Sequence, residues 1–316
     1  MGILPQIENG ESGKTIIFGI LVTSVAVIVS NALPFICFLV LPQAGLFTRV
    51  RFGRYATVVC LAEIILIAIL SNGILIDMFF LTGLFLMGYV MGESFRRRLS
   101  VELTVIFPTA VALLSYFFGL YFHAGQLNLG MVAFMEEYVG KNLELTLKVY
   151  ESVGMSSESI QLFSDNFDRI RHDLVRLIPA ITISLTLIMA WLNLLLSKSL
   201  QVISRLQFYD FRSLNQWKTP EHLVWLAIGC GLLLILSENG LRLMSISGLL
   251  VLMIVYFFQG IAIVAFYFEK KRFPRLLKIF MYSIIAVQQI LLFFIIGLGF
   301  FDMWMNFRKL DRKEMN

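Results

Sequence analysis

The chain is a succession of apolar runs, most of them close to the length of a helix that crosses a lipid bilayer. About 18 to 20 residues are needed to pass through roughly 30 Å of hydrocarbon. Runs on this scale fall near 15–33, 55–72, 74–94, 101–122, 175–197, 222–237, 242–268 and 277–301. A shorter run, near 34–48, begins at Pro34 and contains Pro42, and it reads as a tilted or partly re-entrant segment packed within the protein. Inside lipid every backbone N–H and C=O needs a partner within the protein, and a helix supplies it within one segment. The alternation of apolar and polar residues that a barrel strand requires is absent from runs such as Leu232 to Leu236 and Ile290 to Leu298. The expected fold is all-α: a polytopic transmembrane helical bundle of about eight or nine membrane segments, forming a single integral membrane domain over 1–316.

Composition agrees. Hydrophobic residues make up 58% of the chain and charged residues 15%, against roughly half and a quarter in a soluble domain. The net charge of +5 does not argue for nucleic acid, because the basic residues stand in short clusters between apolar runs, where they orient a chain in the bilayer. Cys37, Cys60 and Cys230 lie in apolar stretches without C-x-x-C spacing or a nearby histidine, which points to packing and not to metal or disulfide. The first run follows Glu8 and Glu11 and is not followed by a small-x-small cleavage site, so it reads as a retained helix.

Basic residues are retained on the cytoplasmic side. Arg49, Arg51 and Arg54 mark one inner connection, Arg96 to Arg98 a second, Lys198, Arg205, Arg212 and Lys218 a third, and Lys270 to Lys278 a fourth. The stretch 124–173 carries eight acids against four bases and reads as outside. Nine spans then place the N-terminus inside and the C-terminus outside, with the tail bases Arg308, Lys309, Arg312 and Lys313 against the rule. The membrane is read as a bacterial cytoplasmic (inner) membrane, crossed several times.

Residues 124–174 are expected to form an extracytoplasmic amphipathic helical insertion. Acids recur seven apart at Glu137, Glu144, Glu151, Glu158 and Asp165, which is helical spacing, and Glu137 with Lys141 and Glu144 with Lys148 are i,i+4 pairs on a wet face. Val132, Val139, Leu143, Tyr150 and Val153 are placed to line the opposite side, and Gly154 to Ser157 is expected to break the helix. On the inner side, Thr219, Pro220 and Glu221 read as a helix start with Thr219 as N-cap, and Trp217 and Trp225 bracket it at interfacial depth.

No Gly-x-Ser-x-Gly, Walker A or His-Glu-x-x-His sequence occurs, so the expectation is no enzyme and no cofactor or metal. Ionisable groups within spans are the better leads, since a charge at the bilayer centre costs a few kcal/mol unless it faces a cavity or partner. Glu63, near the middle of 55–72, is the first of these, as a site residue or as one half of a structural pair. Asn193, Gln259 and Arg51 complete a candidate polar pocket, although interhelical hydrogen bonding is the plain explanation for each amide. Gly88 and Gly92, one turn apart, are read as a close-packing face, and Trp217, Pro220, Trp225, Asp302 and Trp304 as interfacial or structural.

The order of these motifs resembles the YybS-like family of uncharacterised bacterial polytopic membrane proteins over nearly the whole chain. The resemblance rests on Pro34, Leu41-Pro42, Arg51 to Arg54 and the glycines Gly83, Gly88 and Gly92. In the second half it rests on Trp217 to Trp225, Tyr256 to Gly260, Pro274-Arg275 and Gly299 to Trp304. The N-terminal half is similar in layout to the substrate-binding subunits of energy-coupling-factor vitamin transporters. That likeness implies a solute-binding bundle served by a separate ATPase module, although the small positions of the first helix, Gly19, Thr23 and Ala26, do not make the expected Ala-rich docking pattern. Two readings follow: a subunit that binds or helps transport a small solute, or a non-transporting scaffold for membrane-protein partners of the cell envelope or division machinery. Both work within the lipid bilayer and neither involves nucleic acid.

Overall fold

The computed structural model describes residues 34–52, 55–70, 75–204, 214–237 and 239–309. The expected span at 15–33, with Gly19, Thr23 and Ala26, lies outside the described residues. All regular elements among the described residues are helical. They are α1 (Pro34–Arg51), α2 (Ala56–Leu70), α3 (Leu75–Arg96), α4 (Val101–Gln126), α5 (Met131–Val153), α6 (Ser157–Asp165) and α7 (Phe167–Ser204), then a 3₁₀ turn (Leu214–Gln216), α8 (His222–Leu236), α9 (Asn239–Lys270), α10 (Arg275–Val287) and α11 (Gln289–Met305). The all-α class is as expected.

Among the described residues four helical stretches are long and apolar enough to cross a membrane: Ile76–Arg96, Val101–Gln126, Phe167–Lys198 and Gly240–Lys270. α10 and α11 qualify only together, as a pair bent by 101°, which makes five if the pair is one span; α2 and α8 are apolar but shorter. The run 277–301 is therefore not the single straight helix expected. Gln288, at φ −91° and ψ 107°, is extended and separates α10 from α11.

By contacts the chain divides into two compact units, Met1–Val175 with Leu185–Tyr209, and Arg176–Ser184 with Asp210–Asn316. In the first, α3 packs against both α1 and α4. The glycines explain how closely. A Cβ on Gly45 would collide with the carbonyl of Phe85, and one on Gly88 with the backbone of Pro42, so α1 and α3 meet backbone to backbone. Leu41, Ile67, Leu84 and Phe85 are fully buried around this contact. Between α3 and α4, Ser115 donates its hydroxyl to the Phe79 carbonyl at 2.7 Å.

α5 ends where expected, because Gly154 adopts the left-handed conformation at φ 77° that favours glycine. Ser156 then caps α6, accepting from the Ser159 N–H. Lys141 and Glu137 pair at 2.6 Å on the exposed side. Val139 and Leu143 are buried, but Val132 and Val153 are 64% and 75% exposed, contrary to the expected apolar lining. The covering contacts come from Arg171 at Gly140 and from Phe163 at Tyr150, which leaves the two ends of the stripe bare.

In the second unit Val224 and Ala227 of α8 pack with Leu252 and Tyr256 of α9, and Ile296, Phe300 and Met303 of α11 close over them. α9 and α11 also touch through backbone: a Cβ on Gly260 would strike the carbonyl of Ile295, and one on Gly299 that of Tyr256.

Candidate functional site

In the first unit the polar chemistry begins with Pro42. In an α-helix the N–H of residue 42 would donate to the carbonyl of Phe38, but proline has none, so that carbonyl is left without its helical donor in a partly buried helix. Asn193 of α7 supplies the missing donor. Its Nδ2 lies 2.9 Å from the Phe38 carbonyl and 2.9 Å from that of Met189. Gln43, next to the proline, donates from Nε2 to both the Oδ1 and the backbone oxygen of Asn193, each at 3.0 Å. Asn193 is fully buried, and its amide repairs the break that Pro42 makes in α1.

Glu63 sits at the centre of α2, a helix otherwise apolar apart from Thr57. Ala56, Val59, Cys60, Glu63 and Ile67 recur at helical spacing on the buried face, while Val58, Leu61, Ile65 and Ile69 form the exposed one. The Glu63 side chain is fully buried. The Thr48 hydroxyl of α1, itself buried, lies 3.0 and 3.2 Å from the two carboxylate oxygens and shares its proton between them. Arg51, the last residue of α1, is half-buried and stands outside this hydrogen-bonded set.

Glu93, near the end of α3, takes a different partner. It accepts from Arg49 Nε of α1 at 2.7 Å and from Arg97 Nε at 2.6 Å, with the Arg49 guanidinium over the ring of Tyr89. Gly92, one turn before Arg96, lets the Arg49 stem lie against α3. This ion cluster ties α1 to α3 at their shared basic end.

Gln259 belongs to the second unit and to a different network from Glu63 and Asn193. It donates to Asp302 Oδ2 at 3.1 Å and accepts from the Thr219 backbone N–H at 3.3 Å. Asp302 also accepts from the Phe307 N–H at 3.0 Å and pairs with Arg308 at 2.8 Å, both side chains fully buried. A carboxylate in the last turn of a helix opposes the helix dipole, and the arginine offsets it. The rest of the guanidinium holds the 3₁₀ turn: Arg308 donates to the carbonyls of Asn215 and Trp217, each at 2.8 Å, and Asn215 in turn donates to Glu269.

Thr219 therefore does not cap a helix. α8 begins at His222 behind Glu221; the Thr219 N–H donates to Gln259, and its hydroxyl is buried without a hydrogen-bond partner among the described residues, so it caps nothing. Pro220 lies just ahead of the helix, its carbonyl accepting from the Leu223 N–H. Trp225 is 69% exposed, and Trp304, 53% exposed, packs edge-on against Phe300.

The residues named from sequence thus sit in two places: Glu63, Asn193 and Arg51 in the first unit, Gln259 with Asp302 and Trp217 in the second. Gln43 and Thr48, which complete the networks, were not named from the sequence, and Arg308 was read only as a tail base. Gln43 had a signal in its place beside a mid-helix proline, where a spare donor is needed; Thr48 and Arg308 had none, since hydroxyls and terminal bases are common at span ends.

A family model described as "Predicted membrane protein (DUF2232)" covers residues 15–303. No curated protein and no solved structure matches the chain, and the similarity to energy-coupling-factor subunits is not shown.

Proposed function

The chain belongs to the DUF2232 family of predicted membrane proteins, and we propose that it is a membrane-embedded binding subunit for a small polar solute, with Glu63 as the group that recognises it. The observation that supports this is the fully buried carboxylate at the centre of an apolar helix, hydrogen-bonded across to α1 by the neutral hydroxyl of Thr48. An intramembrane carboxylate is costly and is retained where it meets a solute, an ion or a partner. Asn193 is accounted for by the repair of Pro42, and Asp302 by Arg308. A carboxylate favours a solute with a positive charge or several N–H or O–H donors. The chain has no nucleotide motif, so ATP-driven transport would need a separate ATPase module. The bacterial cytoplasmic membrane is the proposed location.

Native mass spectrometry of the chain, extracted gently from its own membrane, tests this. A retained polar compound of less than drug size, lost in Glu63→Ala, is the expected result. Bound lipid alone, unchanged in that variant, would sink the proposal.

The scaffold reading has its own support in α5, where Tyr138, Leu145 and Val149 are more than half exposed along one stripe of the insertion. Its expected signature is a membrane-protein partner that co-purifies stoichiometrically and is lost on deleting 129–170 or neutralising the basic loop from Lys198 to Lys218. Partners that survive both changes would exclude those surfaces.

A further inference from the structure

The relation between α9 and α11, both within the second unit, decides on which side of the membrane the chain returns. α9 is long and apolar enough to cross, and its C-terminal end runs into the basic turn of Lys270, Lys271 and Arg272. Were α10 and α11 one crossing back, α11 would run antiparallel to α9, and Met305 would finish beside the start of α9. At 1.5 Å per residue that is some 40 Å or more from Lys270.

The contacts are of the opposite kind. The two helices meet at Gly260 and Gly299, where a Cβ on Gly299 would lie 2.9 Å from the Gly260 nitrogen. Seven residues beyond Gly260, the Tyr267 hydroxyl donates at 2.8 Å to the carbonyl of Phe307, eight residues beyond Gly299. Nine residues beyond each glycine, Glu269 and Arg308 meet on the same residue, Asn215, one through its side-chain amide and the other through its carbonyl. Contacts whose numbers rise together on both helices require the helices to run in the same direction. The end of α11 therefore lies beside the end of α9.

We infer that α10 and α11 are the two legs of one excursion into the membrane and not a single crossing. The chain leaves the basic face at Pro274, turns at Gln288, and returns along α11 to the face it left, so the C-terminus lies on the same side as Lys270 to Lys278. The 101° bend at an extended residue is the turn of that excursion. Charge supports it independently. Arg308 and Lys309 now fall on the side of the basic turn from Lys270 to Lys278, which the retention of basic residues assigns to the cytoplasm.

The test is cysteine accessibility in the full chain, with Cys37, Cys60 and Cys230 replaced by alanine and one cysteine introduced as Lys271→Cys or Lys309→Cys, both exposed positions. A membrane-impermeant maleimide should label both from the same side, in inside-out vesicles and not in intact cells. Labelling from opposite sides would overturn the inference. Should the cysteine-free chain fail to accumulate, the natural sequence carrying a C-terminal reporter serves instead. Fluorescence from a green fluorescent protein fusion, without activity from an alkaline phosphatase fusion, is expected, and the reverse would overturn the inference equally.

Discussion

Replacing Asn193 by alanine removes the donor that serves the Phe38 carbonyl, and the consequence can be worked from the geometry. The carbonyl loses that donor in a partly buried helix, which costs about 1–3 kcal/mol. Gln43 loses the Oδ1 acceptor but keeps the backbone oxygen of residue 193 at 3.0 Å, so that loss is nearer 0.5–1.5 kcal/mol, roughly the net worth of one hydrogen bond. The expected destabilisation is about 2–4 kcal/mol. The diagnostic step is a second substitution, Pro42→Ala, which restores a backbone N–H able to reach Phe38 in the ordinary helical way. In that background the first cost disappears, and Asn193→Ala should cost only about 0.5–1.5 kcal/mol. The two changes are therefore coupled by about 1–3 kcal/mol, read as the non-additive part of a double-mutant cycle. The assay is SDS-driven unfolding of the purified chain in mixed micelles, followed by tryptophan fluorescence, with the buried Trp191 two residues from the site. Additivity of the two substitutions to within about 0.5 kcal/mol would refute the idea that Asn193 is there to repair Pro42.

Other consequences can be read in the same assay. Gly88→Ala forces a methyl group into the backbone of Pro42 and should destabilise by about 1–3 kcal/mol or more, whereas Gly125→Ala, with open space at its Cβ, should be neutral or slightly stabilising; equal effects at both sites would contradict the backbone contact between α1 and α3. Asp302→Ala strands a fully buried Arg308 and should cost about 3–5 kcal/mol, more than the double change Asp302→Ala with Arg308→Met. A double variant no better than the single one would show that the arginine is not held by the aspartate. Arg49→Ala leaves Glu93 its pair with Arg97 and breaks a partly exposed contact, so a shift of no more than about 1 kcal/mol is expected. A loss of several kcal/mol would mean that the cluster holds α1 against α3 more strongly than its exposure suggests.

The positions of the helices were legible because solvent decides them. A run of apolar residues must leave water wherever it later packs, and α3, α4, α7 and α9 cover four of the nine runs read from the sequence. The break at Gly154 was legible for a local reason, since glycine alone enters the left-handed turn without penalty. The candidate pocket was legible only in part. An acid or amide inside an apolar run announces itself, so Glu63, Asn193, Gln259 and Asp302 could be named, but nothing in the run says which partner it meets.

By itself the sequence determined the solvent, the helical class and the sites where polar groups are hardest to bury, because these depend on residue type and on spacing along one helix. Tertiary structure alone decided the pairings: Asn193 with a carbonyl 155 residues away, Thr48 with Glu63, and Arg308 with the turn at Asn215. It decided direction too. An apolar run reads the same in either sense across a membrane, so only contacts between distant residues could reveal that α11 runs alongside α9 and not against it.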